Sequence, residues 1–333
     1  MRRSWALAIA VLLLRAVPAL AAEPLDLDLA KLGAPSPDVW KNLGCYGTQT
    51  YPCTVPPAYA AGALQASLDA RRRFALLSTE MALALSSAYL EPASTTGMSG
   101  FDVAAEASLA QVHVDKIGGS SGIPGDVAET YWPTHTMLPH ELFVPSVHVR
   151  KALPFSFEVG GRIIYLSQSS YVAGQLEARW ALNEVGAIPD VAIRAARTQL
   201  FGQKDWSLGA TEVDVIASKR FGVTGVISLT PYGAARFTFV DASTALMDFG
   251  PYRPAGTPPE EAGKTQAAFP RLNAMVYRTT LGVRLTSYAV SMSGEVTYGA
   301  GGTYGKDQPS DTEYPKYTLK SSLGGAFKFG FEF

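Results

Sequence analysis

From about residue 100 onward, apolar and polar residues alternate in one stretch after another. In 101–109, Phe101, Val103, Ala105, Ala107 and Leu109 share one parity, with Asp102, Glu106 and Ser108 on the other. Successive side chains of a strand point to opposite faces, so this segment reads as a strand with one apolar and one polar face. Comparable segments follow near 142–153, 155–166, 171–183, 189–200, 207–220, 224–240, 273–286, 288–300 and 316–333. That makes about ten strands, most longer than the roughly 9–11 residues that cross hydrocarbon at a barrel tilt. The last one ends with Phe327, Phe329, Phe331 and Phe333 on one face and Lys328, Gly330 and Glu332 on the other.

The links between these segments alternate in length. Tight turns at Leu153 and Pro154, at 184–189, at 221–223 and at Ser287 and Tyr288 alternate with longer links at 110–141, 167–170, 202–207, 241–272 and 300–315. Long loops on one side and short turns on the other are the habit of an up-and-down membrane barrel. An extra strand at 81–85 would break the even count unless a twelfth exists.

Before residue 100 the period changes. Arg2 and Arg3 precede an apolar run from Trp5 to Leu14, then Pro18 and the small-residue pattern Ala19, Leu20, Ala21. This reads as a secretory signal peptide over 1–21, and Arg15 cuts the run short of a spanning helix. Residues 22–99 read as an N-terminal periplasmic or lumen-plugging segment, and 100–333 as the barrel. Within the former, Ala58, Ala61, Leu64, Leu68, Phe74, Leu77 and Met81 recur at helical intervals, predicting an amphipathic helix over about 56–87. Arg71, Arg72 and Arg73 read as its solvated face, with lipid headgroups or luminal carboxylates as other targets. Cys45 and Cys53, the two cysteines of the chain, read as a disulfide in an oxidising compartment.

Composition agrees with strands rather than membrane helices. Hydrophobic residues make up 47% and charged residues 17%, yet after the signal peptide no apolar run reaches helix-spanning length. The formal net charge of −1 gives no reason to expect nucleic acid as a partner. The signal peptide, the alternating strands and the closing strand with terminal Phe333 resemble uncharacterised outer-membrane β-barrel proteins of Gram-negative bacteria. The resemblance implies an all-β fold: a transmembrane antiparallel up-and-down β-barrel of about ten strands, with twelve as the alternative. It also implies an outer-membrane location, contact with outer-membrane lipid, and a role for Phe329, Phe331 and Phe333 as an assembly signal for the barrel-insertion machinery.

The face opposite the apolar one carries both signs of charge. Its acids include Asp102, Glu106, Glu158, Glu177, Glu212, Asp214, Glu295 and Glu332. Its bases include Arg150, Arg162, Arg179, Arg194, Arg220, Arg236, Arg278, Arg284, Lys320 and Lys328, with His148 beside them. Such a face predicts a luminal charge network across a narrow bore. Trp180, Tyr288, Phe331 and Phe333 fit one aromatic girdle, and Tyr165, Phe239, Tyr277 and Tyr298 the other.

Candidate chemistry is sparse. His113, His135 and His140 fall in or beside the link 110–141 without a fixed partner, and they suggest neither a zinc site nor a hydrolase. The glycine-rich 118–122 lacks the strand-to-helix switch of a phosphate loop, and 299–305 reads as a flexible loop. No catalytic residue, metal or cofactor is expected. The function expected is a narrow or gated conduit for small or apolar solutes. A surface-interaction barrel using its long loops is the alternative, and an outer-membrane hydrolase the lesser one. The N-terminal segment is expected on or in the periplasmic mouth.

Overall fold

The computed structural model describes residues 25–43, 57–86, 90–97, 100–114, 131–134, 139–183, 189–223, 225–250 and 263–333. Ten antiparallel staves form the wall: β1 (Phe101–Gln111), β2 (Glu141–Leu153), β3 (Phe157–Tyr165), β4 (Val172–Asn183), β5 (Asp190–Phe201), β6 (Trp206–Ser218), β7 (Ile227–Thr244), β8 (Leu272–Ser287), β9 (Val290–Gly299) and β10 (Ser322–Glu332). Each pairs with its neighbours in sequence, and β10 returns to β1 with Glu332 opposite Asp102 and Gly324 opposite Ala110. The sheet therefore closes and leaves no stave with an open edge.

One mouth is built of tight turns and holds Phe333; the other carries the long connections. At the turn mouth, β2 and β3 are joined by residues 154–156, and β8 and β9 by Tyr288 and Ala289. Phe155, Ser156 and Tyr288 take left-handed φ of 64°, 58° and 51° without being glycine. The three-residue link 154–156 and the two-residue link at Tyr288 are both tight enough to put residues in this region, and the turn geometry overrides the residue preference.

Side chains alternate as the sequence pattern demands. Leu176, Leu281 and Ile163 are 74%, 73% and 67% exposed on the outer face. An exposed apolar belt around the whole wall is stable only against hydrocarbon, so the chain is a membrane barrel. Aromatic pairs sit near its turn-mouth edge: Phe157 stacks on Trp180 with centroids 5.4 Å apart, and Phe101 lies 5.7 Å from Phe333. Among the described residues no helix is long and apolar enough to cross a membrane; the strands do the crossing.

Before the barrel come a short 3-10 turn (Leu29–Leu32), α1 (Pro37–Leu43) and α2 (Pro57–Leu85). The helical reading of 81–85 prevails over the strand reading, because those residues continue α2. The last strand does not run unbroken from 316. Tyr317–Leu319 pairs instead with Gly302–Tyr304, making a small hairpin above the wall where a flexible loop was expected. The signal peptide, Cys45, Cys53, His135 and the segment 118–122 lie outside the described residues.

Candidate functional site

The inward face changes character partway along the staves. Towards the loop mouth it is apolar: Leu142 and Val144 on β2, Ile164 on β3, Leu208 and Ala210 on β6, Val240 and Ala242 on β7, Leu272 and Val276 on β8. Nearer the turn mouth the same rows become His148 and Arg150, Arg162, Glu212 and Asp214, Arg236, Arg278 and Arg284. The sequence reading took the inward face as mostly polar; the apolar third belongs to a partner inside the lumen.

That partner is α2. Ten strands about 4.8 Å apart and tilted about 40° enclose a backbone cylinder roughly 20 Å across. Side chains reduce that to little more than the roughly 10 Å of one helix. An alanine-rich helix is narrow enough, and Ala66, Ala70, Ala75 and Ala84 are all buried. Phe74 anchors it, stacking on Phe269 at 4.5 Å and meeting Trp206 edge-on at 6.5 Å, with Tyr314 at 6.4 Å. Leu77, Met81 and Leu85 continue this apolar core down to the switch in the wall.

Helix α2 enters from the loop mouth, so the expectation of a segment at the mouth beside the C-terminus is corrected. The residues before it sit at the loop mouth too. The amide of Leu25 donates to the carbonyl of Gln168 at 3.0 Å, and that of Asp28 to Pro133 at 3.0 Å. Nor is the arginine run a solvated face. Arg71 is buried and donates to the carbonyls of Pro35 at 2.8 Å and Ser310 at 3.0 Å, while Arg73 donates to Leu32 at 3.1 Å. Arg72 pairs with Asp69 and donates to the carbonyl of Lys316 at 2.9 Å. These guanidiniums bind irregular backbone over the mouth, whose carbonyls have no ladder to join.

The last carbonyls of a helix lack intrahelical donors and carry its negative dipole end. Two luminal arginines serve them here. Arg278 donates to the carbonyls of Leu83 at 3.1 Å and Ser86 at 2.8 Å, and Arg236 to Ser86 at 2.8 Å. Glu212 lies 2.7 Å from Arg278 and 3.2 Å from Arg236, so it orients both. Asp214 holds Arg236 at 2.6 Å and Arg194 at 2.5 Å.

Below α2 the chain continues as a strap through the polar part of the lumen. The amide of Leu90 donates to Glu295 at 2.6 Å, that of Ala93 to Ser218 at 2.9 Å and that of Thr96 to Glu158 at 2.7 Å. Arg179 reaches the carbonyls of Pro92 at 2.5 Å and Ser94 at 3.0 Å and also pairs with Glu158. Glu91 is the centre, facing Arg150 at 3.0 Å and Arg284 at 3.4 Å and pairing with Lys328. Asp102 completes that group, 3.0 Å from Arg150 and 2.5 Å from Lys328. Glu332 pairs with Arg284.

A second group surrounds His148, whose ring nitrogens lie 3.1 Å from Glu106 and 3.0 Å from Glu177. Only the doubly protonated ring can donate to both carboxylates. Arg162 lies 2.8 Å from Glu106, and Arg194 2.7 Å from Glu177. Gly160 makes room for this group: a Cβ there would stand 2.9 Å from the Glu177 carboxylate and 3.1 Å from His148.

Arg220 and Lys320, read as luminal, are exposed beyond the stave ends instead, because β6 stops at Ser218 and β10 starts at Ser322. Two acids escaped the sequence reading. Glu91 lies outside any strand, and Glu80 lies on the helix, where it accepts from His113 Nδ1 at 2.7 Å, Tyr131 Oη at 2.8 Å and Trp132 Nε1 at 2.9 Å. His113 is thus tied to α2, while His140 is exposed at the loop mouth.

No family model matches the chain, and no curated protein matches it. Solved barrel structures do. The N-terminal β-barrel domain of OprF from Pseudomonas aeruginosa aligns with 71% of this chain and 99% of its own, at 10% identity and a TM-score of 0.26. Neisserial surface protein A covers 70% of this chain and 95% of its own, at 14% identity and a TM-score of 0.27. The translocator domain of the autotransporter NalP from Neisseria meningitidis covers 80% of this chain and 98% of its own, at 9% identity and a TM-score of 0.33. Likenesses of this size bring neither substrate nor partner to the chain.

Proposed function

We propose that this protein is an outer-membrane barrel, closed at rest, whose N-terminal segment and long loops form an interaction surface at the cell exterior. In bacterial outer-membrane barrels the short turns face the periplasm, which puts the loop mouth outside. The observation that carries the reading is the apolar core between α2 and the loop-mouth third of the wall. Each large side chain buried there contributes about 1.5–3 kcal/mol, so several together hold the helix in place rather than let it swing as a gate. Export by a cleaved signal peptide over 1–21, lipid contact around the wall and recognition of the terminal strand by the insertion machinery belong to the same reading. It invokes no catalysis.

A narrow conduit for small or apolar solutes is the second reading. It is favoured by the polar lower lumen, where the strap is irregular chain held by hydrogen bonds and ion pairs rather than by an apolar seat. Conductance in planar bilayers separates the two. The interaction reading expects none from the full chain and a steady conductance once residues 22–99 are deleted. Steady conductance of the intact protein would overturn it in favour of the conduit.

A further inference from the structure

We propose that the N-terminal segment reaches the exterior through the barrel's own lumen, so that the wall serves as the exit path for the residues that later seal it. The inference rests on the orientation adopted above and adds a transport step to it.

The path of the chain carries the argument. Residues 25–32 are fastened to the loop mouth, with the amide of Leu27 donating to Tyr171 Oη at 2.7 Å and Leu27 bridged to Thr134. From there α2 descends, the strap crosses the polar lumen from Leu90 to Thr96, and β1 starts at the turn mouth. There Phe101 and Phe333 exchange backbone hydrogen bonds of 2.7 and 2.9 Å. The described residues between the two mouths therefore lie inside the wall.

The wall offers no side exit. Nine consecutive residue pairs, from Asp102 with Glu332 to Ala110 with Gly324, join β1 to β10. Opening that seam in hydrocarbon would leave those backbone groups without hydrogen-bond partners, which the bilayer cannot supply. A chain delivered on the periplasmic side must place its N-terminal residues outside while its barrel strands stay within the membrane. The lumen is the route that leaves the ladder intact, either threaded after closure or enclosed as the wall closes. Its bore, roughly that of one helix, admits an extended chain or a single helix but not a folded domain.

The test uses the full chain with one short epitope at three positions: after Ala22, at Asp307 in the loop-mouth hairpin, and at Phe155 in a turn. In intact cells the first two should bind antibody and the third only after the outer membrane is permeabilised. Protection of the Ala22 epitope with the Asp307 epitope exposed would overturn the inference while leaving the interaction surface standing. Protection of Asp307 with exposure of Phe155 would reverse the orientation, and both would fall.

Passage itself is tested by fusing a small disulfide-stapled domain after Ala22, alongside its cysteine-free form that cannot fold. The unfoldable form should be displayed, and the stapled form should lose at least tenfold in display and accumulate as periplasmic chain. Equal display of both would overturn passage through the lumen.

Discussion

Arg236 Nη1 lies 2.8 Å from the carbonyl oxygen of Ser86, joining a barrel stave to the end of the helix inside it. Arg278 adds a second donor to the same oxygen. Breaking a buried ion pair costs about 3–5 kcal/mol, and loss of Arg278 takes from Glu212 its shortest cation contact, at 2.7 Å, and from the carbonyls of Leu83 and Ser86 a donor. The Arg278→Ala variant should lose thermal stability in detergent and become more sensitive to protease between residues 57 and 100. Arg278→Lys should recover only part, since one ammonium cannot reach both carbonyls and Glu212 in the same planar fork. Melting curves and limited proteolysis of the two variants check this.

Phe74→Ala should remove the centre of the aromatic seat formed with Phe269, Trp206 and Tyr314. Large-to-small changes of this kind cost about 3–5 kcal/mol. The loss should fall on α2 and the loops it touches, with the staves intact. Strand content by circular dichroism should stay unchanged while amides of α2 exchange faster. Equal acceleration in the staves would show that the helix is integral to the wall's stability.

Cys45 and Cys53 are expected to be bonded to each other. Unreduced, denatured protein should take up no alkylating reagent, and reduction should release two thiols. A loop this short is worth roughly 2–3 kcal/mol of chain entropy. Cys45→Ser should therefore loosen the N-terminal segment and leave the barrel assembled.

Deletion of Phe333 should lower outer-membrane yield and leave a protease-sensitive periplasmic chain. The residue pairs through its backbone with Phe101 at the closing seam and ends the outward aromatic row Phe327, Phe329, Phe331. Lys328→Ala removes a buried inward cation from the same stave, so it should reduce stability after assembly rather than insertion. Membrane fractions of the two variants, compared before and after heating, separate the effects.

Ten staves and their faces were legible because a lipid-facing strand writes its alternation locally, as 101–109 and 327–333 show. The helix was legible from its 3.6-residue period, and Pro57–Leu85 falls inside the expected span. Its seat was not. Which mouth a helix enters is decided by contacts 150 to 195 residues away in sequence, such as Ser86 with Arg236 and Leu83 with Arg278. Arg71 to Arg73 misled for a related reason: a run of bases is ordinarily solvated, and these instead bind backbone from remote loops. The inward row from Leu142 to Arg150 reads as a mixed face until a partner is known to fill its upper part.

That switch along the inward face makes the lumen two bodies with different responses to heat. Apolar packing in the aromatic seat gains little as temperature rises, while the entropy of freeing α2 grows. Buried ion pairs behave oppositely, because the cost of stripping water from charge falls on warming. The loop-mouth third should therefore melt first, leaving a closed wall still cross-braced by Glu91, Arg150 and Lys328. On warming, a barrel built this way should release its luminal helix before it loses its place in the membrane.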